Sequence, residues 1–240
     1  MNKVFYCTKC VYPTSSAVPL AFDENGMCSG CRTSGEKASI DWDDRKKKFE
    51  KIIEEYRNKD GTGYDLIIPV SGGKDSYFQV HLMKKVYGLN PLLVTYNGNN
   101  YTPTGMENLI NMRDVFGVDH IFFTANVDVL KTLNRLAVQI MGDMQWHYAS
   151  GIYTYPIRVA VETKTPLMLW GEHGHMDLGG MHSYHDLVEF TYRYRHEHVI
   201  RGFEWTDFLK RAPEFGEKLT QQQLIPWMYP SDEEIASVGV

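Results

Sequence analysis

The sequence predicts an α/β fold: a parallel sheet with helices on both faces, preceded by a small cysteine-bearing ribbon. Three observations point there. From residue 64 onward, short apolar runs alternate with longer amphipathic stretches, the pattern of repeated strand–helix–strand units. The apolar runs are nearly continuous, as strands covered on both sides require. All four cysteines fall among the first 31 residues, in a segment too small to hold itself together by a core of its own.

The elements follow in order. Residues 1–40, rich in Gly, Ser, Thr and Pro, form the ribbon. Residues 41–58 form a helix capped by Asp41, with Trp42, Phe49, Ile52, Ile53 and Tyr56 on one face. Asn58 to Gly63 is a polar linker, so the chain divides into a ribbon at 1–40, a helix and linker at 41–63, and a main domain at 64–240. Strands are expected at 64–70, 91–96, 118–124 and 166–170. Helices are expected at 76–87, 105–116, 127–141 and 152–163. Beyond residue 200 a short helix near 204–211 stands out from an otherwise irregular stretch. In such a sheet ligands sit outside the carboxyl ends of the strands. The segments expected to meet there are 71–76, 96–104, 124–128 and 171–186.

Composition narrows the class. Across 240 residues the hydrophobic share is 43% and the formal net charge is -5, an ordinary globular balance with no basic excess to attract nucleic acid. The basic run Arg45-Lys46-Lys47-Lys48 is flanked by Asp41, Asp43, Asp44, Glu50, Glu54 and Glu55, which reads as a solvated helix face. No apolar run approaches the roughly 20 residues that cross a bilayer. The opening Met1-Asn2-Lys3-Val4-Phe5-Tyr6 lacks the apolar core of a signal peptide, so the expected compartment is the cytoplasm.

Cys7, Cys10, Cys28 and Cys31 form two C-x2-C pairs separated by 17 residues. That spacing suits a tetrahedral zinc site of four thiolates with a structural role. Two disulfides and an iron–sulfur cluster are the alternatives; the cytoplasmic reading disfavours the disulfides.

The candidate ligand site is the turn Ser71-Gly72-Gly73-Lys74-Asp75-Ser76, which follows the apolar run Leu66-Ile67-Ile68-Pro69-Val70 and opens a helix. Adjacent glycines let bare N–H groups close on an anion, and the helix adds its positive end. Lys74 supplies a mobile charge. The spacing is not that of Walker A. Asp75 beside phosphates suits Mg²⁺, which takes one or two carboxylates together with substrate phosphates. Tyr96-Asn97-Gly98-Asn99-Asn100 follows the second strand and reads equally as a polar turn or a binding loop. Glu172 lies at the end of the fourth strand. His173, His175, His182 and His185 with Asp177 and Asp186 form a dense polar cluster, read as pocket lining rather than as a second metal site. Arg193, Arg195 and Arg201 suit either a diphosphate clamp or pairing with Glu189, Glu197 and Glu204.

The six-residue turn resembles the pyrophosphate loop (PP-loop) of the N-type ATP pyrophosphatases. The resemblance implies an adenine nucleotide alpha hydrolase-like domain that uses ATP and Mg²⁺. It places Tyr96 and Asn97 near the base and ribose. The cysteine segments Cys7–Thr14 and Phe22–Cys31, with Trp170-Gly171-Glu172 and Gly179-Gly180, are similar to the N-acetyl sugar amidotransferases of surface-polysaccharide (lipopolysaccharide) biosynthesis. That family implies conversion of an acetamido group on a nucleotide-linked sugar to an acetamidino group. Lys74, Asp75 and Glu172 are then the catalytic candidates, with Glu172 binding Mg²⁺ or orienting the amide. Ammonia would come from separate glutaminase and synthase-like subunits, and no membrane or nucleic-acid partner is implied. Members of the family are longer, and Ser237-Val238-Gly239-Val240 reads like the start of a strand, so a chain short or truncated at its C-terminal end is expected. The runner-up is a tRNA-modifying enzyme that thiolates or amidates a base. A third reading is a zinc-ribbon scaffold whose turn merely binds nucleotide.

Overall fold

The computed structural model describes residues 3–15, 20–171, 182–186 and 190–240. They fall into two compact units. The first holds the described residues of 1–55 and 172–189, and the second those of 56–171 and 190–240.

In the first unit, helix α1 (Ser29–Glu36) is capped by Cys28, whose sulfur accepts from the Cys31 N–H. Helix α2 (Trp42–Tyr56) follows, with Asp43 and Asp44 in its first turn. Its expected apolar face is mostly open: Ile53 is buried, while Trp42, Ile52 and Tyr56 are exposed. Glu36 at the end of α1 accepts hydrogen bonds from Ser183 Oγ (2.7 Å) and the Tyr184 N–H (2.9 Å). Those two bonds hold its carboxyl below the usual range. His182, His185 and Asp186, from the polar cluster, belong to this docked segment; the other members named with them, His173, His175 and Asp177, lie outside the described residues.

The second unit is a parallel sheet with helices on both faces. Strands β1 (Leu66–Pro69), β2 (Pro91–Asn97) and β3 (Asp119–Thr124) lie side by side in that order. Helix α3 (Lys74–His81, extended by a π turn to Val86) joins β1 to β2, and α4 (Pro103–Phe116) joins β2 to β3. The other face is covered by α6 (Trp146–Thr163), which follows α5 (Val127–Met141). Val159 and Ala160 of α6 pack on Ile67, Leu92 and Val94.

The expected fourth strand survives as a single parallel bridge between Ile67 and Met168. Ile67 N–H donates to the Leu167 carbonyl and Leu169 N–H to the Ile67 carbonyl, both at 2.9 Å. The next rung would need an N–H from residue 69, and Pro69 has none. The ladder therefore stops after one step. With this segment on the free side of β1, the spatial order is β3, β2, β1, then 167–169. Strand order reverses between β1 and that segment, the place where open α/β sheets bind ligands.

Helix α6 starts six residues earlier than expected and contains Pro156. Beyond residue 190 come α7 (Tyr192–Tyr194, continued as a π turn Arg195–Val199), α8 (Trp205–Arg211), α9 (Gln221–Leu224) and α10 (Asp232–Val238). Phe208, Leu224 and Trp227 from this region are fully buried with Trp146, Leu133 and Leu136. The strand expected at Ser237–Val240 is instead the end of α10. Ser231 and Glu234 form a reciprocal cap at its start, and Gly239 closes it at φ 80°. Among the described residues no helix is long and apolar enough to cross a membrane.

Candidate functional site

Within the first unit the four cysteines converge. Their sulfurs all lie within 4.8 Å of one another. Cys7 Sγ is 3.9 Å from Cys31 Sγ, and Cys10 Sγ is 3.7 Å from Cys28 Sγ. A disulfide needs about 2.05 Å, so the sulfurs are not paired that way. Four thiolates placed tetrahedrally at about 2.3 Å from one zinc ion stand about 3.8 Å apart, which these separations match. An iron–sulfur cluster would stand between the thiolates and spread them further. The turns that aim the sulfurs are stabilised by amides: Lys9 and Cys28 N–H donate to Cys7 Sγ at 3.4 and 3.3 Å. Burial opposes a thiolate at Cys7, but the amides of Cys10, Cys28 and Lys9 outweigh it and bring that thiol down to about 6. Burial and the neighbouring thiols push Cys31 up to about 12. Zinc bound here would crosslink two turns that carry little apolar core of their own.

The second unit places Ser71–Ser76 at the carboxyl edge of the sheet, at the point where strand order reverses. Gly72 takes φ 76°, a conformation open to glycine. A Cβ there would also stand 3.1 Å from the backbone of Leu109 in α4, a contact so tight that α4 would have to give by a few tenths of an ångström. Gly73 caps α3, which starts at Lys74. The first amides of a helix have no acceptor within it, so this turn presents donors outward. Ser71 N–H donates to Ser76 Oγ at 3.0 Å, closing the turn into a ring. Ser76 is buried, whereas Lys74 and Asp75 are exposed and paired with each other at 2.7 Å. An exposed pair of this kind is worth little to stability, so both side chains are free to turn to a ligand.

Asn97 ends β2 opposite Thr124 of β3. Its Nδ2 donates to Thr124 Oγ1 (3.2 Å) and Asn99 Oδ1 (3.1 Å), and its Oδ1 accepts from the Asn99 N–H (2.8 Å). Asn99 sits at φ 58°, a region asparagine tolerates. Tyr96 points to the other face of the sheet. It is 3% exposed, hydrogen-bonds through its hydroxyl to His147 Nδ1 at 3.1 Å, and packs against Phe123 and Trp227. Alternation along β2 therefore sends Asn97 and Tyr96 to opposite sides. Glu172 lies outside the described residues.

The three arginines weighed as a diphosphate clamp are all engaged by carboxylates. Arg193 pairs with Glu197 at 2.9 Å, Arg201 with Asp143, and the buried Arg195 with Glu204 at 2.7 Å beneath the Tyr229 ring. Sequence reading missed two residues beside the turn, Thr95 and His120. The signal was a polar residue inside an otherwise apolar strand.

No family model matches the chain. Over 113 residues it is 29% identical to an uncharacterised protein of Methanocaldococcus jannaschii, covering 47% of this chain. The chain spans 40% of the length of that curated relative. Among solved structures it is similar to an NH3-dependent NAD synthetase from Campylobacter jejuni, with TM-score 0.43 and 14% identity over 83% of this chain and 92% of that one. It is similar to an NMN synthetase from Francisella tularensis, with TM-score 0.36 and 12% identity over 72% and 83%. It is also similar to a predicted subunit of tRNA methyltransferase from Methanocaldococcus jannaschii, with TM-score 0.32 and 16% identity over 70% and 93%.

Proposed function

We propose that this chain is an ATP-dependent, AMP- and pyrophosphate-forming amidotransferase. It adenylates the acetamido oxygen of a nucleotide-linked N-acetyl sugar and lets ammonia displace AMP, leaving an acetamidino sugar for surface-polysaccharide synthesis. The observation that supports this reading is the closed Ser71–Ser76 turn, with its left-handed Gly72, at the head of α3 and at the reversal point of a parallel sheet.

Each residue then has a task. The turn's amides and Lys74 hold the phosphates and stabilise the departing pyrophosphate. Asp75 would hold Mg²⁺, which would supply charge neutralisation to the phosphates. Asn97, at the carboxyl end of β2, faces the nucleoside end. Glu172 orients the amide. The amide oxygen displaces pyrophosphate from the α-phosphorus; ammonia then attacks the activated carbon, AMP leaves with the C–O bonding pair, and a proton is released. The protein's part is to position these groups and keep water from the adenylate. The four cysteines are committed to zinc, so none is left for a glutaminase. Ammonia comes from separate glutaminase and synthase-like subunits in the cytoplasm.

The test is a pyrophosphate-release screen over UDP- and CMP-linked N-acetyl sugars with an ammonium salt. Turnover is expected with one sugar class. Lys74→Ala is expected to lower it at least about 100-fold, as loss of a charge that meets the leaving group does, with an unchanged melting temperature. Full turnover in Lys74→Ala would remove Lys74 from the site.

A further inference from the structure

We propose that Thr95 and His120 are positioning residues that set the orientation of the Val70–Ser71 peptide and so pre-form the anion-binding turn. This rests on the reading of Ser71–Ser76 as a phosphate site. The Thr95 side chain is 2% exposed and lies between two partners. Its hydroxyl donates to the Val70 carbonyl at 2.6 Å, and its oxygen is 2.9 Å from His120 Nε2. A threonine hydroxyl has one proton, and here the Val70 carbonyl takes it. The contact with His120 must then be an N–H donated by the imidazole, which assigns the Nε2–H tautomer. Burial, aided by the charge of Arg113, holds His120 near 4, so the ring is neutral at neutral pH.

The result is a directed chain from His120 Nε2–H to Thr95 Oγ1–H to the Val70 carbonyl. On the far side of the same peptide bond, the Ser71 N–H donates to Ser76 Oγ. One peptide plane is thus held at both ends, by a side chain from β2 and by a side chain from α3. It is the plane from which the chain leaves β1 and enters the turn. Val70 is buried, and its N–H, on the preceding peptide, donates to the Val94 carbonyl, so the Thr95 hydroxyl carries the hold of β2 one plane further, onto the Val70 carbonyl. A buried carbonyl left without its donor either draws in water or rotates to find another. Rotation would swing the Ser71 N–H away from Ser76 and open the ring that presents the amides of 72–76.

The experiment compares wild type with Thr95→Val, Thr95→Ser and His120→Phe in two readouts. One is the exchange rate of the Ser71 amide by NMR; the other is the affinity for inorganic pyrophosphate. Thr95→Val is expected to speed Ser71 exchange by about tenfold and to weaken pyrophosphate by about tenfold, the size of one lost hydrogen bond. His120→Phe should move both in the same direction. Thr95→Ser keeps the hydroxyl and should restore both values. Unchanged Ser71 exchange in Thr95→Val, or a Thr95→Ser variant as impaired as Thr95→Val, would overturn the proposal. If wild type binds no pyrophosphate, the phosphate reading fails, while the exchange comparison still decides whether Thr95 sets the peptide.

Discussion

Gly151 lies in the middle of α6, where glycine weakens a helix. Its presence is explained by Tyr96. A Cβ at 151 would fall 2.4 Å from the Tyr96 ring, so the helix and strand can approach only if that position is bare. Gly98 repeats the arrangement, with a Cβ 2.4 Å from the Tyr148 ring. Gly151→Ala therefore gains helix propensity but overpacks a rigid aromatic. Overpacking outweighs the propensity gain and is expected to cost about 1–3 kcal/mol, a fall of about 2–4 °C in melting temperature for each kcal/mol at this size. Thermal unfolding of the variant checks it. The same residue scale separates what sequence reading finds from what it misses. The Ser71–Ser76 turn and the C-x2-C pairs are runs of near neighbours, so the turn at the head of α3 and the convergence of the four cysteines are legible in order along the chain. Thr95 stands 25 residues from both Val70 and His120, and no single sequence says which polar side chain meets which carbonyl. Tyr96 and Asn97 are adjacent, yet the strand's alternation puts one in the core and the other at the sheet's edge.

Local signals set where elements begin and end, although the sequence reading starts α4 at residue 105 and takes the last residues of α10 for a strand. Helix α4 starts at the Thr102 cap, whose hydroxyl accepts from Gly105 N–H at 3.1 Å, and stops at the left-handed Gly117. The C-terminal helix carried an equally local signal, Ser231 followed three residues on by Glu234, and a strand reading of its last residues missed it. The fourth strand was shortened by Pro69, a residue in a different strand, so no inspection of 166–170 alone reveals its loss. Helix α6 was harder still, because Gly151 and Pro156 read as breakers and only tertiary packing keeps them helical. The cysteine ribbon carries its own expectation at this scale. Its two turns meet through sulfur, with the Phe5 and Phe22 rings 5.1 Å apart beside them. The purified protein should contain one zinc per chain by elemental analysis, and Cys7→Ser with Cys28→Ser should abolish it. Retained stoichiometric zinc in that variant would place the metal elsewhere.

At the scale of the whole chain, the sheet order β3-β2-β1 followed by residues 167–169 matters most. It puts the carboxyl ends of three strands and the head of α3 at one edge. Polar residues collect there: Ser71, Asn97, Thr124 and Asn126, the last capping α5 through the Asp128 N–H at 2.8 Å. The opposite edge is tied by Asp65, whose carboxylate accepts from the Asn58 and Asn90 N–H groups at 2.6 and 2.5 Å. One edge of the sheet is locked and the other offers unspent donors, an asymmetry that alternating strands and helices in the sequence foretell without naming the residues. The most direct measurement is therefore an amide NMR titration with Mg²⁺–ATP. Saturable shifts at Gly72, Gly73, Lys74, Asp75 and Ser76, with Asn58 and Asn90 unmoved, are the expected result. Shifts absent from those five amides at saturating nucleotide would contradict the account.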